Sequence, residues 1–142
     1  MSAMLTVLLV LGAVLIASCT AKTETPNQQT PAQIIENISP QEAFDLIQEN
    51  KDNPDFVILD VRTPEEFAEE HIANALNIDF NSENFRDELD KLDKDKTYLI
   101  YCRSGNRSGK ALEIMKELDF REVYNMSGGI IEWKTEGLPT VK

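Results

Sequence analysis

The sequence predicts an α/β domain built on a parallel sheet wrapped by helices, and three observations carry that prediction. From Ile38 onward, short apolar runs alternate with helix-like segments, the order in which strands and crossover helices follow one another in such sheets. The run Phe56-Val57-Ile58-Leu59 is apolar without alternation, as expected of a central strand buried on both faces. Two helix starts are complete, Ser39-Pro40-Gln41-Glu42 and Thr63-Pro64-Glu65-Glu66. Each has a capping hydroxyl, a proline at the first helical position and a glutamate three residues after the cap.

The first helix brings Ala43, Phe44, Leu46 and Ile47 onto a core face, and the polar stretch from Asn50 to Pro54 breaks it. The strand Phe56 to Leu59 runs through Asp60-Val61-Arg62 into the second, short helix. After His71-Ile72, the segment Ala75 to Ile78 is another short strand, and Phe85 to Leu92 forms a helix with charged faces. Thr97 to Tyr101 is a strand, and Ser108 to Leu118 is a helix that buries Ala111, Leu112, Met115 and Leu118. A last strand at Glu122 to Tyr124 precedes Gly128-Gly129 and a helical turn carrying Ile130, Ile131 and the core residue Trp133. Ligands of open sheets bind beyond the carboxyl ends of the strands. Cys102 stands just past one such end, and Asp60 and Arg62 at a comparable end border the same crevice.

The stretch Cys102-Arg103-Ser104-Gly105-Asn106-Arg107-Ser108 therefore reads as strand, loop, helix with a thiol at the turn. Near a helix N-terminus, unpaired N–H groups and the helix dipole favour the thiolate, which is the reactive form. Small residues let the loop curl and turn its amides inward, as loops that cradle anions do. Residues 102 to 110 hold Arg103, Arg107 and Lys110 and no acid, so the expectation is a local cationic pocket for a small anion. The plainer alternative is a buried strand-end cysteine beside solvated arginines. His71 is the only histidine, and its place between short elements favours a hydrogen-bonding structural role over that of a base.

The chain has 142 residues and a net charge of -11. Its length suits one compact domain after an apolar leader. The acidic balance argues against nucleic acid as a partner. No cysteine or histidine cluster has metal spacing, so a zinc or iron–sulfur role is not expected. Residues 1 to 18 carry no charged side chain, with an apolar run from Leu5 to Ala17 too short for a comfortable membrane span but suited to a signal peptide. Leu15-Ile16-Ala17-Ser18-Cys19 resembles the bacterial lipobox, which implies cleavage before Cys19 and lipidation of that residue. The alternatives are an incidental cysteine in a membrane anchor and pairing of Cys19 with Cys102 in a disulfide, which would consume the candidate nucleophile. The segment from Thr20 to about Gln33 is polar and proline-containing, a flexible tether. These features lead to an expected membrane-anchored lipoprotein exported to the periplasmic side of a bacterial cell envelope.

Taken together, four ordered motifs resemble the rhodanese family of sulfurtransferases. They are Leu59-Asp60-Val61-Arg62-Thr63-Pro64-Glu65-Glu66-Phe67; His71-Ile72 with Ala75 and Asn77; the cysteine loop after Tyr101; and Gly128-Gly129 with Trp133, Gly137 and Pro139. The likeness runs from about Ile38 to Pro139, with Glu70 standing where many members have glycine. It divides the chain into a signal peptide at 1–18, an anchor cysteine and tether at 19–33, and a rhodanese domain at 34–142.

The resemblance implies a five-stranded parallel sheet with helices on both faces. It also implies transfer of a sulfane sulfur from thiosulfate or a similar anionic donor, through a Cys102 persulfide, to cyanide or a thiol. In that reading the amides of Arg103, Ser104, Gly105, Asn106, Arg107 and Ser108 cradle the sulfur, Arg103 or Arg107 holds the donor or orders the loop, and no metal or organic cofactor is required. Two other readings compete. One is a noncatalytic persulfide carrier or binding module. The other is phosphatase or arsenate-reductase chemistry, which uses a longer loop than the four residues separating Cys102 from Arg107.

Overall fold

The computed structural model describes residues 32–142. The leader, Cys19 and the tether as far as residue 31 lie outside the described residues. Ten elements follow one another: β1 (Ile34–Ile38), α1 (Pro40–Glu49), β2 (Phe56–Asp60), α2 (Pro64–Glu69), β3 (Leu76–Asn77), α3 (Phe85–Asp90), β4 (Thr97–Tyr101), α4 (Asn106–Glu117), β5 (Glu122–Met126) and α5 (Gly129–Thr135).

The five strands form one sheet in the order β1-β5-β4-β2-β3, and every pairing is parallel. Parallel neighbours need crossovers, and these carry the helices to both faces. On one face Tyr98, Ile100 and Val123 pack under Phe85 and Leu89 of α3 and Ala111, Leu112 and Met115 of α4. On the other, Leu99, Tyr101 and Met126 pack under Ala43 of α1 and Ile130 and Trp133 of α5, with Phe67 of α2 at the margin. The alternation along β4 sends Leu99 and Tyr101 one way and Tyr98, Ile100 and then Cys102 the other.

Both capping boxes form. The amide of Glu42 donates to Ser39 Oγ at 3.3 Å while the Ser39 amide donates back to Glu42 Oε2 at 2.8 Å. The amide of Glu66 donates to Thr63 Oγ1 at 3.3 Å, and the Thr63 amide returns to Glu66 Oε2 at 3.1 Å. These reciprocal bonds satisfy helix-terminal donors and set where each helix leaves the sheet edge.

The structure differs from the sequence expectation at several boundaries. The polar composition puts residue 33 at the end of the tether and no strand before Ile38, but β1 pairs along its whole length with β5, from Ile34 opposite Glu122 to Ile38 opposite Met126. The strand expected over Ala75 to Ile78 shrinks to Leu76–Asn77, and α3 stops at Asp90. α4 begins at Asn106 rather than Ser108, because Gly105 takes a left-handed conformation (φ 94°) that ends the loop two residues early. Leu118 is half-buried at the C-cap of α4. No helix among the described residues is long and apolar enough to cross a membrane.

Candidate active site

Cys102 is the first residue past β4, the strand flanked by β5 and β2 at the centre of the sheet. Its side chain is almost wholly enclosed, at 1% exposure. The loop then doubles back over the sulfur. The Gly105 amide donates to Sγ at 3.1 Å and the buried Ser108 hydroxyl donates to it at 3.4 Å. Burial pushes the thiol's pKa up, but the Ser108 hydroxyl and the amides of Ser108, Ser104 and Gly105 outweigh it and hold the thiol below its ordinary value. These donors favour the thiolate, the form that attacks electrophilic sulfur.

The two arginines of the loop part company. Arg107, in the first turn of α4, makes a bidentate pair with Glu66 of α2, with Nη1 to Oε2 at 2.7 Å and Nη2 to Oε1 at 2.9 Å. The hydrogen bonds from Arg107 hold the Glu66 carboxyl down at about 2. Arg107 is thereby neutralised and anchored beside Ser108, so it orders the loop and adds no free cation. Arg103 is exposed, and its guanidinium has no hydrogen-bond or ion-pair partner among the described residues. The cationic pocket expected from the local sequence is therefore reduced, because a carboxylate 41 positions away enters it. Ser104 and Asn106 are exposed on the outer surface of the loop.

Asp60 and Arg62 form a buried ion pair at the end of β2. Arg62 Nε lies 3.0 Å from both carboxylate oxygens and Nη2 lies 2.6 Å from Oδ2. The same Nη2 donates to the Glu70 carbonyl at 2.6 Å, and the guanidinium carbon sits 5.7 Å from the centre of the Tyr101 ring. Asn77 Nδ2 bridges the carbonyls of Asp60 and Arg62 at 3.0 and 2.9 Å. This network ties the segment after β2 to the end of β4 and to the C-terminal end of α2. Arg62 lines a cleft together with Arg103, with its donors directed at Asp60 and Glu70.

His71 is engaged elsewhere. Its ring stacks on Phe67 at 3.8 Å, Nδ1 lies 2.9 Å from the Phe67 carbonyl oxygen, and its backbone pairs with Val141. The hydrogen-bond partners of the Cys102 sulfur are Gly105 and Ser108. Among the described residues no group of three or more His, Cys, Asp and Glu side chains is gathered as a metal site.

Two functional contributors escape a local reading of the sequence. Glu66 reads there only as a capping residue, and nothing in its own neighbourhood signals the bond to Arg107. Gly129 opens α5 and packs directly on the cysteine loop. A Cβ there would come within 2.5 Å of the carbonyl oxygens of Cys102 and Arg103. That close approach lets the Ile130 and Ile131 amides donate to those two carbonyls at 2.9 and 3.1 Å. The α5 N-terminus thus holds the loop from behind while Glu66 holds it from α2. The Gly-Gly pair is the available signal.

Comparison with known proteins fits this arrangement. Residues 39–136 match the model of the rhodanese-like domain. A sulfurtransferase of Allochromatium vinosum is 38% identical over 96 residues, covering 68% of this chain and 88% of that protein. The thiosulfate sulfurtransferase GlpE of Coxiella burnetii is 38% identical over 97 residues, covering 68% of this chain and 85% of its own length. A tRNA uridine(34) hydroxylase of Pectobacterium atrosepticum is also 38% identical, over 105 residues, but the match spans only 29% of that longer protein. The crystal structure of a rhodanese-related protein from Thermoplasma volcanium superposes with a TM-score of 0.62 at 33% identity, over 75% of this chain and 97% of that one. With its parallel sheet, its cysteine loop past the central strand and this match over most of its length, the chain belongs to the rhodanese-like domain family.

Proposed function

We propose that the chain is a sulfurtransferase that moves a sulfane sulfur from thiosulfate or a similar anionic donor, through a Cys102 persulfide, to cyanide or a thiol. The observation that carries this reading is the convergence of the Gly105 amide and the Ser108 hydroxyl on Cys102 Sγ at the C-terminal end of β4. Those donors favour a thiolate, and they suit a persulfide anion equally well.

In the first step the Cys102 thiolate attacks the outer sulfur of thiosulfate. A bond forms between Sγ and that sulfur, the donor's sulfur–sulfur bond breaks, and its electron pair leaves on sulfite. In the second step cyanide carbon attacks the outer sulfur of the persulfide, the bond to Sγ breaks, and the electron pair returns to Cys102 as thiocyanate departs. No proton needs to be removed by a base in either step. This agrees with a sulfur held by an amide and a hydroxyl, with His71 occupied at Phe67.

Steady-state thiocyanate production by the full-length chain, beside Cys102→Ser, tests the proposal. Turnover by the native chain and none by the variant is expected. A folded native chain that forms no thiocyanate, or a variant as active as the native one, would overturn it. A persulfide that forms once without repeated turnover would instead favour the carrier reading. We further propose that the domain is exported and held at the periplasmic side of a bacterial envelope through lipidated Cys19. Support comes from the apolar run Leu5 to Ala17, from Ala17-Ser18 before the cysteine, and from the polar tether that follows.

A further inference from the structure

The sheet is parallel throughout, so its strands start at one pole of the domain and end at the other. Ile34, Glu122, Thr97 and Phe56 pair across the starting level of β1, β5, β4 and β2, and Cys102 lies past the far end of β4. The entry of the chain is fixed at the starting pole. Gln33 Nε2 donates there to the carbonyls of Lys116 and Phe120, at 3.0 and 2.9 Å. Whatever anchors the N-terminal segment therefore joins the domain at the pole opposite the thiol. The two poles also differ in charge. The helices start at the thiol's pole, and four of them have acids in the first turn, among them Glu65 and Glu66 of α2 and Asp87 and Glu88 of α3. At the other pole the turns into β2, β4 and β5, residues 50–55, 91–96 and 118–121, hold five Lys or Arg against five Asp. That pole is balanced although the chain carries -11.

Toward the balanced pole an apolar cleft of about 190 Å³ opens between the second half of α1, the turn before β3 and the C-terminal segment, walled by Phe44, Ile47, Ile72, Trp133, Pro139 and Val141. A hollow of about 100 Å³ adjoins it through Ile47, Lys51 and Asn74 and reaches Phe56 at the start of β2. Val141 is 42% exposed. Lys51 is exposed as well, and its ammonium has no hydrogen-bond or ion-pair partner among the described residues. An apolar cleft with one free ammonium beside it matches an aliphatic chain behind an anionic head, which is the chemistry of an anionic phospholipid. The stretch from Cys19 to Ile34 spans up to about 50 Å when extended, so its length lets either pole reach a bilayer, and the charge and the cleft select between them. We propose that the anchored domain rests on the bilayer through the pole where its strands begin, with an acyl chain of an anionic phospholipid in this cleft and the phosphate at Lys51. This orientation rests on the N-terminal anchoring proposed above. It turns the acid-rich pole and Cys102 away from the lipid, so that sulfur donor and acceptor arrive from water.

The test uses the chain's single tryptophan, Trp133 in the cleft wall. The full-length chain is reconstituted on vesicles of phosphatidylcholine and phosphatidylglycerol with plain or brominated acyl chains, since bromine quenches indole fluorescence only at close range. Quenching by the brominated vesicles is expected for the native chain. Lys51→Gln should lower the ratio of seated to unseated domain about fivefold, the worth of one lysine at an anionic surface. Ala73→Glu, at an exposed position that lines the cleft, places a carboxylate there and should abolish the quenching. Both variants should keep the native circular dichroism. A chain bound to vesicles whose Trp133 is not quenched, or is quenched equally in all three chains, would overturn this orientation and leave the anchoring intact. Quenching by a brominated fatty acid in solution but not by vesicles would overturn it in favour of a soluble ligand. A native chain that stays off the vesicles would overturn the anchoring, and the orientation with it.

Discussion

At Cys102 two opposed effects act on one sulfur. Enclosure disfavours the thiolate, while the Ser108 hydroxyl and three loop amides favour it and prevail. Because the thiol is held below its ordinary value, the reactive form persists to lower pH than in a free cysteine, and activity should rise along a limb displaced toward acid. Ser108→Ala removes the one side-chain donor. Its expected effect is a limb displaced toward alkali and activity near neutral pH reduced about tenfold, the worth of a hydrogen bond to a charged group. A pH profile of kcat/KM checks this: recovery at alkaline pH supports the account, and an unmoved limb contradicts it. The candidate cysteine and the loop that supplies its two donors, Gly105 and Ser108, were legible in the sequence because they are contiguous. The partner of Arg107 was not. Residues 102 to 110 contain no acid, and the carboxylate that neutralises Arg107 comes from α2 across the C-terminal edge of the sheet.

Among the elements, those with local signatures were the legible ones. β2 and β4 are apolar runs, and α1 and α2 begin with complete capping boxes. β1 is an edge strand whose residues are mostly exposed or half-buried, and Glu36 and Asn37 interrupt its apolar pattern. Only its partner β5, far along the chain, specifies it. The packing of α5 on the cysteine loop is likewise a contact between distant segments. Two glycines separate its contribution from that of backbone conformation. Gly137 has φ 76° and open space where a Cβ would stand, with no atom within 4 Å, while Gly129 has φ 59° and a Cβ there would meet the Cys102 and Arg103 backbone at 2.5 Å. Gly137→Ala should cost about 1 kcal/mol, the left-handed penalty alone, and leave sulfur transfer intact. Gly129→Ala adds overpacking, for a loss of about 2–4 kcal/mol, and displaces the loop. Urea unfolding with a parallel activity assay measures both. Equal losses in the two variants would show that α5 does not brace the site.

Across the whole molecule, alternating strands and helices place one thiol at the C-terminal edge of a parallel sheet, between helices that fix its loop from two sides. The class of fold followed from the order of patterns along the chain, since parallel strands impose crossovers. The charge at the site did not follow from the chain's net charge of -11 or from the loop's own residues, because the pairing of Glu66 with Arg107 is a property of the fold. The expectation for the N-terminal segment rests on sequence alone. In a bacterial host fed an alkyne fatty acid, the native chain should take up label and Cys19→Ser should not, and an unlabelled native chain would contradict lipidation.

Intact-protein mass spectrometry of the full-length chain after exposure to thiosulfate reads whether Cys102 carries a sulfur. The expected result is one added sulfur mapped to Cys102, released sulfite in matching amount, reversal by cyanide, and no gain in Cys102→Ser. A folded native chain that gains no sulfur, or an added sulfur that persists in Cys102→Ser, would contradict it.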